Sequence, residues 1–185
     1  VVGVVIATLV TGFAIHWVIG FPWLVALLFG ALISATDPIS VLALFREMGV
    51  SKRLAGLVES ESPFNDGTAV VLFHILLGAV LGAHQLSPIG GLRQFLLVTL
   101  GGALIGLGLG YLVSKLTARI DEPRIEITLT TILAYGSFLL AEQLHVSGVI
   151  ATVGAGLMIG NFGAPAGMSS RTKVALWSFW DYLGF

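Results

Sequence analysis

The feature that most constrains this chain is an aspartate followed by a proline, Asp37-Pro38, inside an apolar run that starts at Trp23 and is long enough to cross a bilayer. A second polar stretch, Glu61-Ser62-Pro63-Phe64-Asn65-Asp66, breaks into apolar sequence about one crossing later. In hydrocarbon a charged side chain is expensive and faces a protein interior or a water-filled cavity. Non-helical backbone is tolerated at that depth only where it is buried or lines such a cavity. The remaining sequence reads as scaffolding for these two segments.

Composition agrees with a membrane setting. Of the 185 residues, 56% are hydrophobic and 10% charged, where a soluble domain carries about 25% charged residues. Such a chain cannot cover itself with polar surface, which predicts an all-α polytopic transmembrane bundle whose partner is the lipid bilayer. The net charge of −1 argues against a nucleic-acid partner. With no cysteine, disulfides, thiolate chemistry and cysteine-held metals are excluded. Apolar sequence already starts at Val1 without a leader, and Trp180-Asp181-Tyr182-Leu183-Gly184-Phe185 stops mid-pattern. Residues 1–185 are therefore expected to be an internal fragment of one longer membrane domain.

About 20 apolar residues span the hydrocarbon as a helix, and that ruler predicts six crossings and the start of a seventh. They are Val1 to Ile19, Trp23 to Glu47 (interrupted at Thr36-Asp37-Pro38), Leu54 to Ala83, Leu92 to Leu116, Ile125 to Leu144 and Val149 to Gly160. The ion-site helices are thus expected at about 23–47 and 54–83. Gln85 to Pro88 and Asn161 to Ser170 read as loops, Met48 to Ser51 as a short joint, and Asp121-Glu122-Pro123 as a turn. One side of this arrangement collects Arg46, Lys52 and Arg53, then Lys115, Arg119 and Arg124, then Arg171 and Lys173, and the other only Arg93. The positive-inside rule makes loops 46–53, 115–124 and 171–173 cytoplasmic.

At about 1.5 Å per residue, Asp37 lies about 21 Å along its crossing, near the middle of the bilayer. Asp-Pro is a good helix start, and a helix that starts at mid-membrane implies another that ended there. Two half-helices then aim their dipole ends at one spot beside a carboxylate, as in the discontinuous helices of secondary transporters. Thr36 adds a hydroxyl or a carbonyl as a cation ligand. On the third crossing Asp66 falls at similar depth, with Ser62 on the same face and Glu61 and Asn65 paired likewise. The bland alternative makes Ser62 the cap of a helix begun at Pro63. Asp66 and Asn65 are the favoured site residues, while Glu61 divides between the site and a structural ion pair, and Glu59 reads as interface.

Such oxygen ligands suit small hard cations, and one carboxylate can hold either a proton or a cation, so the two compete. Moved by alternating access, that competition is a cation/proton antiporter: a transporter needing no cofactor, and not an enzyme. His74 reads as a packed histidine, His16 and His145 as interfacial, and Glu126 as a first-turn acid favoured by the helix dipole. Glu142 lies near the outer end of its crossing, hydrated or paired. The Gly101-to-Gly110 stretch follows no strand, which removes a nucleotide-loop reading. Gly102, Gly106 and Gly110, and likewise Gly156 and Gly160, carry the spacing of close helix packing.

Three blocks carry a resemblance: Ala35-Thr36-Asp37-Pro38 through Ala43, Glu61-Ser62-Pro63-Phe64-Asn65-Asp66 through Phe73, and Ala141-Glu142-Gln143-Leu144-His145-Val146-Ser147-Gly148. In this order they resemble the monovalent cation:proton antiporter family of sodium/proton exchangers, over essentially the whole chain. The resemblance implies an inverted-repeat fold, with Asp66 as the essential ion- and proton-binding aspartate preceded by Asn65. It implies Ser62 and Thr36 as cation-ligating positions, Asp37 as the aspartate of the unwound crossing, and Glu61 as ion-paired to an arginine. The Asn-Asp pair implies electroneutral exchange, and family membership a homodimer in the cell membrane. Pro63-Phe64 departs from the commoner Leu-Leu or Leu-Phe. The family's second broken helix, with its Gly-Leu-Arg-Gly stretch, is not in this sequence.

Sodium is the expected ion, with potassium or lithium the alternative. An intramembrane aspartyl protease, the rival from another class, needs a Gly-x-Gly-Asp stretch that neither Asp37 nor Asp66 has.

Overall fold

The structure, a computed structural model, describes residues 1–82 and 87–184, without the side chains of Pro88, Ala166 and Gly184. The expected end of the third crossing at Ala83, and Gln85 and Leu86 of the expected loop, lie outside the described residues.

Local chemistry sets the helix ends. The first helix, α1 (Val2–Ile19), stops at Gly20, whose φ of 82° suits only a residue without Cβ. Pro22 then precedes α2 (Trp23–Ile33), which ends at Ser34. After five non-helical or turn residues, α3 (Ile39–Glu47) begins behind Pro38. Ser51 caps α4 (Lys52–Val80), its hydroxyl accepting from the Leu54 amide at 3.4 Å. α5 (Pro88–Thr117) starts at a proline, so Pro88 opens a helix where the sequence suggested a loop, and Ser87 Oγ accepts from the Gly90 amide. α6 (Pro123–Gln143) also begins on proline. Ser147 caps α7 (Gly148–Met158), accepting from the Ile150 amide at 3.3 Å.

The expected loop from Asn161 to Ser170 is mostly helix instead. A π-helical turn (Ile159–Gly163) leads directly into α8 (Ala164–Gly167), and only Met168 and Ser169 separate it from α9 (Ser170–Gly184). Gly, Asn and Pro in this stretch read as a loop, yet the wider π turn makes room for Pro165, which lacks an amide and would otherwise crowd the preceding turn. Asn161 Nδ2 donates back to the Leu157 carbonyl at 2.9 Å, so its polar side chain is satisfied within the helix.

Every regular element among the described residues is helical, and four helices (α1, α4, α5 from Ile89, and α6) are long and apolar enough to cross a membrane. Shorter apolar helices occupy Trp23–Ile33 and Gly148–Gly163. Side-chain size is distributed the reverse of a water-soluble protein. Ala26, Ala31, Ala141 and Ala151 are completely buried, while Trp17 is 69%, Leu104 71% and Ile89 83% exposed. Small residues inside and large apolar ones outside is the pattern of helices packed in lipid. The chain is an all-α, multi-pass membrane protein.

Two compact units divide at residue 99, within α5. In the first, Gly12 lies against Leu27 and Gly30 against the Thr8 carbonyl, which sets α1 and α2 antiparallel and close. In the second, Gly102 faces the Ser147 carbonyl, Gly106 that of Ala151 and Gly110 that of Ala155. Both series climb together, so α5 and α7 run in the same direction, and these three glycines are packing residues as their spacing suggested. Gly156 and Gly160 are not. A Cβ on either would meet nothing within 4 Å, and both instead line an apolar cavity of about 280 Å³ beside Leu133, Ile159, Trp177 and Trp180. Spacing marks which face of a helix is small; only packing shows whether a neighbour uses it.

Candidate ion site

The site is assembled between the α2–α3 interruption and the middle of α4. Helix α4 passes through Pro63 without ending, so Ser62 is not the cap of a helix begun there. Ser62 and Asp66, one turn apart, present the same face to the interruption. The Ser62 hydroxyl donates to the Thr36 carbonyl at 2.5 Å, and the Thr36 amide donates to Asp66 Oδ1 at 3.2 Å. An interrupted helix leaves backbone groups without partners, and here both groups of Thr36 are met by side chains of α4. The break is therefore part of the tertiary structure.

The half-helices finish the site locally. Asp37 Oδ1 accepts from the Ile39 amide at 3.0 Å, a local bond across Pro38, the N-cap of α3, that satisfies the first amide of the helix. Ser34 Oγ donates to the Ala31 carbonyl at 2.8 Å and accepts from Thr8 Oγ1 at 3.4 Å, closing the end of α2. The carbonyl end of α2 and the amide end of α3 thus flank Thr36, as the dipole argument for a broken crossing expects. The role of Ser34 was not legible from the sequence. Its signal would have been one more polar residue immediately before Ala35-Thr36-Asp37 in otherwise apolar surroundings.

The six expected site residues form three groups. Thr36, Ser62 and Asp66 are joined by the two hydrogen bonds above. Asn65 and Glu61 pair on an adjoining face of α4, Asn65 Nδ2 donating to Glu61 Oε1 at 3.5 Å. Asp37 bonds within its own turn. Ser62 is buried, Asp66 and Asn65 are half-buried, and Thr36, Asp37 and Glu61 are exposed. Among the described residues Asp66 Oδ2 and the Thr36 hydroxyl have no hydrogen-bond partner, and Glu61 makes no ion pair. No group of three or more His, Cys, Asp or Glu among the described residues could hold a metal ion. The hydroxyl, carbonyl and carboxylate oxygens gathered here are hard donors.

The other candidates have local roles. His16 Nδ1 lies 2.6 Å from the Phe21 carbonyl, with the ring stacked on Trp23 at 4.0 Å. His74 is not the packed histidine expected but is exposed, its ring near that of its neighbour Phe73, and His145 holds a left-handed turn at φ 58°. Glu142 Oε1 accepts from the Gly148 amide at 3.0 Å, tying the end of α6 to the start of α7. Glu126 does lie in the first turn of α6, but it is completely buried, neither carboxylate oxygen has a partner among the described residues, and Thr172 lies beside it.

Comparison with known proteins places this sequence in a family. A family model described as "Sodium/hydrogen exchanger, transmembrane" matches residues 1–185. The chain is 47% identical to the Na(+)/H(+) antiporter ApNhaP of Aphanothece halophytica, matched over 100% of this chain and 36% of that protein. It is 43% identical to the Na(+)/H(+) antiporter NhaH of Halobacillus aidingensis, over 97% of this chain and 45% of the relative. To the low-affinity Na(+)/H(+) antiporter NhaS1 of Synechocystis it is 44% identical, over 99% of this chain and 35% of the relative. The chain thus spans less than half the length of these relatives. Matched from end to end by the family model, and carrying an interrupted helix held by Ser62 and Asp66, the chain belongs to the sodium/hydrogen exchanger transmembrane family.

Proposed function

We propose that the parent protein exchanges sodium for protons across the cell membrane, electroneutrally and by alternating access, with Asp66 carrying either the proton or the cation. The observation that carries this reading is the pair of hydrogen bonds joining Thr36 to Asp66 and Ser62, which sets a lone carboxylate against the gap between two half-helices. Ser62 and Thr36 supply neutral oxygens, Asn65 and Glu61 flank the carboxylate, and Asp37 adds negative charge at the start of α3. A single carboxylate exchanging one proton for one monovalent ion accounts for electroneutrality. The names of the relatives support sodium. Loops 46–53, 115–124 and 171–173 face the cytoplasm in this reading. The full-length protein forms a homodimer and completes an inverted repeat whose second broken helix lies outside the present sequence.

The test uses the full-length parent in proteoliposomes with an imposed pH gradient. Sodium-dependent proton movement is expected for the wild type and is lost in Asp66→Asn; movement that survives this change intact overturns the assignment. Potassium and lithium in place of sodium define the ion. Clamping the membrane potential with valinomycin and potassium tests electroneutrality, because an electroneutral exchange rate does not respond to the clamp.

A further inference from the structure

We infer that the surface formed by the α5–α6 turn and the start of α9, within the second unit, binds the anionic headgroup of a membrane phospholipid. The α8–α9 junction is seated on the α5–α6 turn, since a Cβ on Gly167 would come within 2.6 Å of the Ala118 Cα. Beside that contact lies an open cavity of about 400 Å³ whose walls include Arg119, Ile120, Asp121, Met168 and Ser169. Arg119 is the cation in its wall, and on the segments that lead into and out of it Lys115, Arg124 and Arg171 are exposed and Lys173 half-exposed, against two exposed acids, Asp121 and Glu122.

These cations are not spent on internal pairs. No ion pair joins any of the five to a carboxylate among the described residues, although Asp121 and Glu122 share the turn with Arg119 and Arg124. Lys115 lies over the Tyr111 ring, 4.8 Å from its centroid, a contact that does not neutralise its charge. The occupant follows from position. This surface lies where α5, α6 and α9 end or begin, and α5 and α6 are long and apolar enough to cross a bilayer, so it lies at headgroup level. The anion present there at high density is the lipid phosphate, which an arginine fork grips with two parallel bonds, and basic pockets between transmembrane helices suit such headgroups. Arg46, Lys52 and Arg53 of the first unit are also exposed. They belong to the other unit and lie beside no described cavity, which makes them a control for attraction by exposed basic residues in general.

The experiment compares the full-length parent in phosphatidylcholine nanodiscs with and without phosphatidylglycerol, reading the melting temperature and the lipids retained in native mass spectrometry. Phosphatidylglycerol is expected to raise the wild-type melting temperature. Arg119→Gln with Arg171→Gln loses most of that gain and the retained anionic lipid, while melting like wild type in phosphatidylcholine alone. Arg46→Gln with Arg53→Gln keeps both. Inorganic phosphate added to phosphatidylcholine discs produces no gain. The inference is overturned if the gain persists in the Arg119/Arg171 variant, disappears equally in the Arg46/Arg53 variant, or is reproduced by inorganic phosphate. Should the Arg119/Arg171 variant not fold, Arg124→Gln with Lys173→Gln tests the same surface by the same readout.

Discussion

Thr36 shows how much can rest on one residue: its amide is held by a carboxylate and its carbonyl by a hydroxyl, so the interruption and the candidate site share their hydrogen bonds. Removing the hydroxyl with Ser62→Ala should lower stability by about 1 kcal/mol, the net worth of one hydrogen bond, and raise the sodium concentration for half-maximal proton flux. Ser62→Thr, which keeps the hydroxyl, should recover much of both in melting and flux measurements. Asp37 permits a cleaner separation, because its carboxylate both carries charge and accepts from the first amide of α3. Asp37→Asn keeps an acceptor and should melt within about 0.5 kcal/mol of wild type, whereas Asp37→Ala should lose about 1 kcal/mol. Proton flux should fall in both, and full flux in Asp37→Asn would remove the charge from the mechanism.

Among the elements, α5 offers two glycines, Gly106 and Gly108, two residues apart and in different surroundings. A Cβ on Gly106 would collide with the Ala151 carbonyl of α7, whereas one on Gly108 would meet nothing within 4 Å. Gly106→Ala must push two backbones apart and should destabilise the protein by about 1–3 kcal/mol. Gly108→Ala removes only the flexibility of a mid-helix glycine and should be neutral or stabilising by up to about 1 kcal/mol. Thermal melting of the two variants in detergent checks the difference, and equal shifts would mean that α5 and α7 do not touch as described. The helix ends were mostly legible because they are written locally: Gly20, Ser51, Pro123 and Ser147 act on their own turns. The π turn at Ile159–Gly163 was not, since Gly, Asn and Pro in that order suit a loop equally well and only the continuing helix decides between them.

For the whole molecule, the alternation of basic and neutral connections predicts which ends share a side of the membrane. This sequence has no cysteine, so in a full-length parent with any other cysteine replaced by serine, introduced single cysteines measure it. Single cysteines at Lys52, Arg119 and Arg171 should react with a membrane-impermeant maleimide only from the cytoplasmic side, and cysteines at Gly20 and His145 only from the other. One residue labelled from the wrong side would change the number of crossings between it and its neighbours. The parallel run of α5 and α7, read from three successive glycine contacts, independently requires one crossing in the opposite direction between them, which α6 supplies.

By itself the sequence determined the membrane setting, the helical class and the helix break at Thr36-Asp37-Pro38, because hydrophobicity and proline act through composition and short-range chemistry. It also placed Glu126 in the first turn of its helix, but not in the interior. Only the tertiary structure decided that Ser62 and Asp66 both close on Thr36, that Asp37 is occupied with its own helix, and that Asn65 pairs with Glu61. It likewise decided that Gly102, Gly106 and Gly110 are covered while Gly156 and Gly160 stay open. The reason is physical: a side chain's type and helical face are properties of its neighbours in sequence, but the group that meets its hydrogen bond or fills the space beside it arrives from another helix.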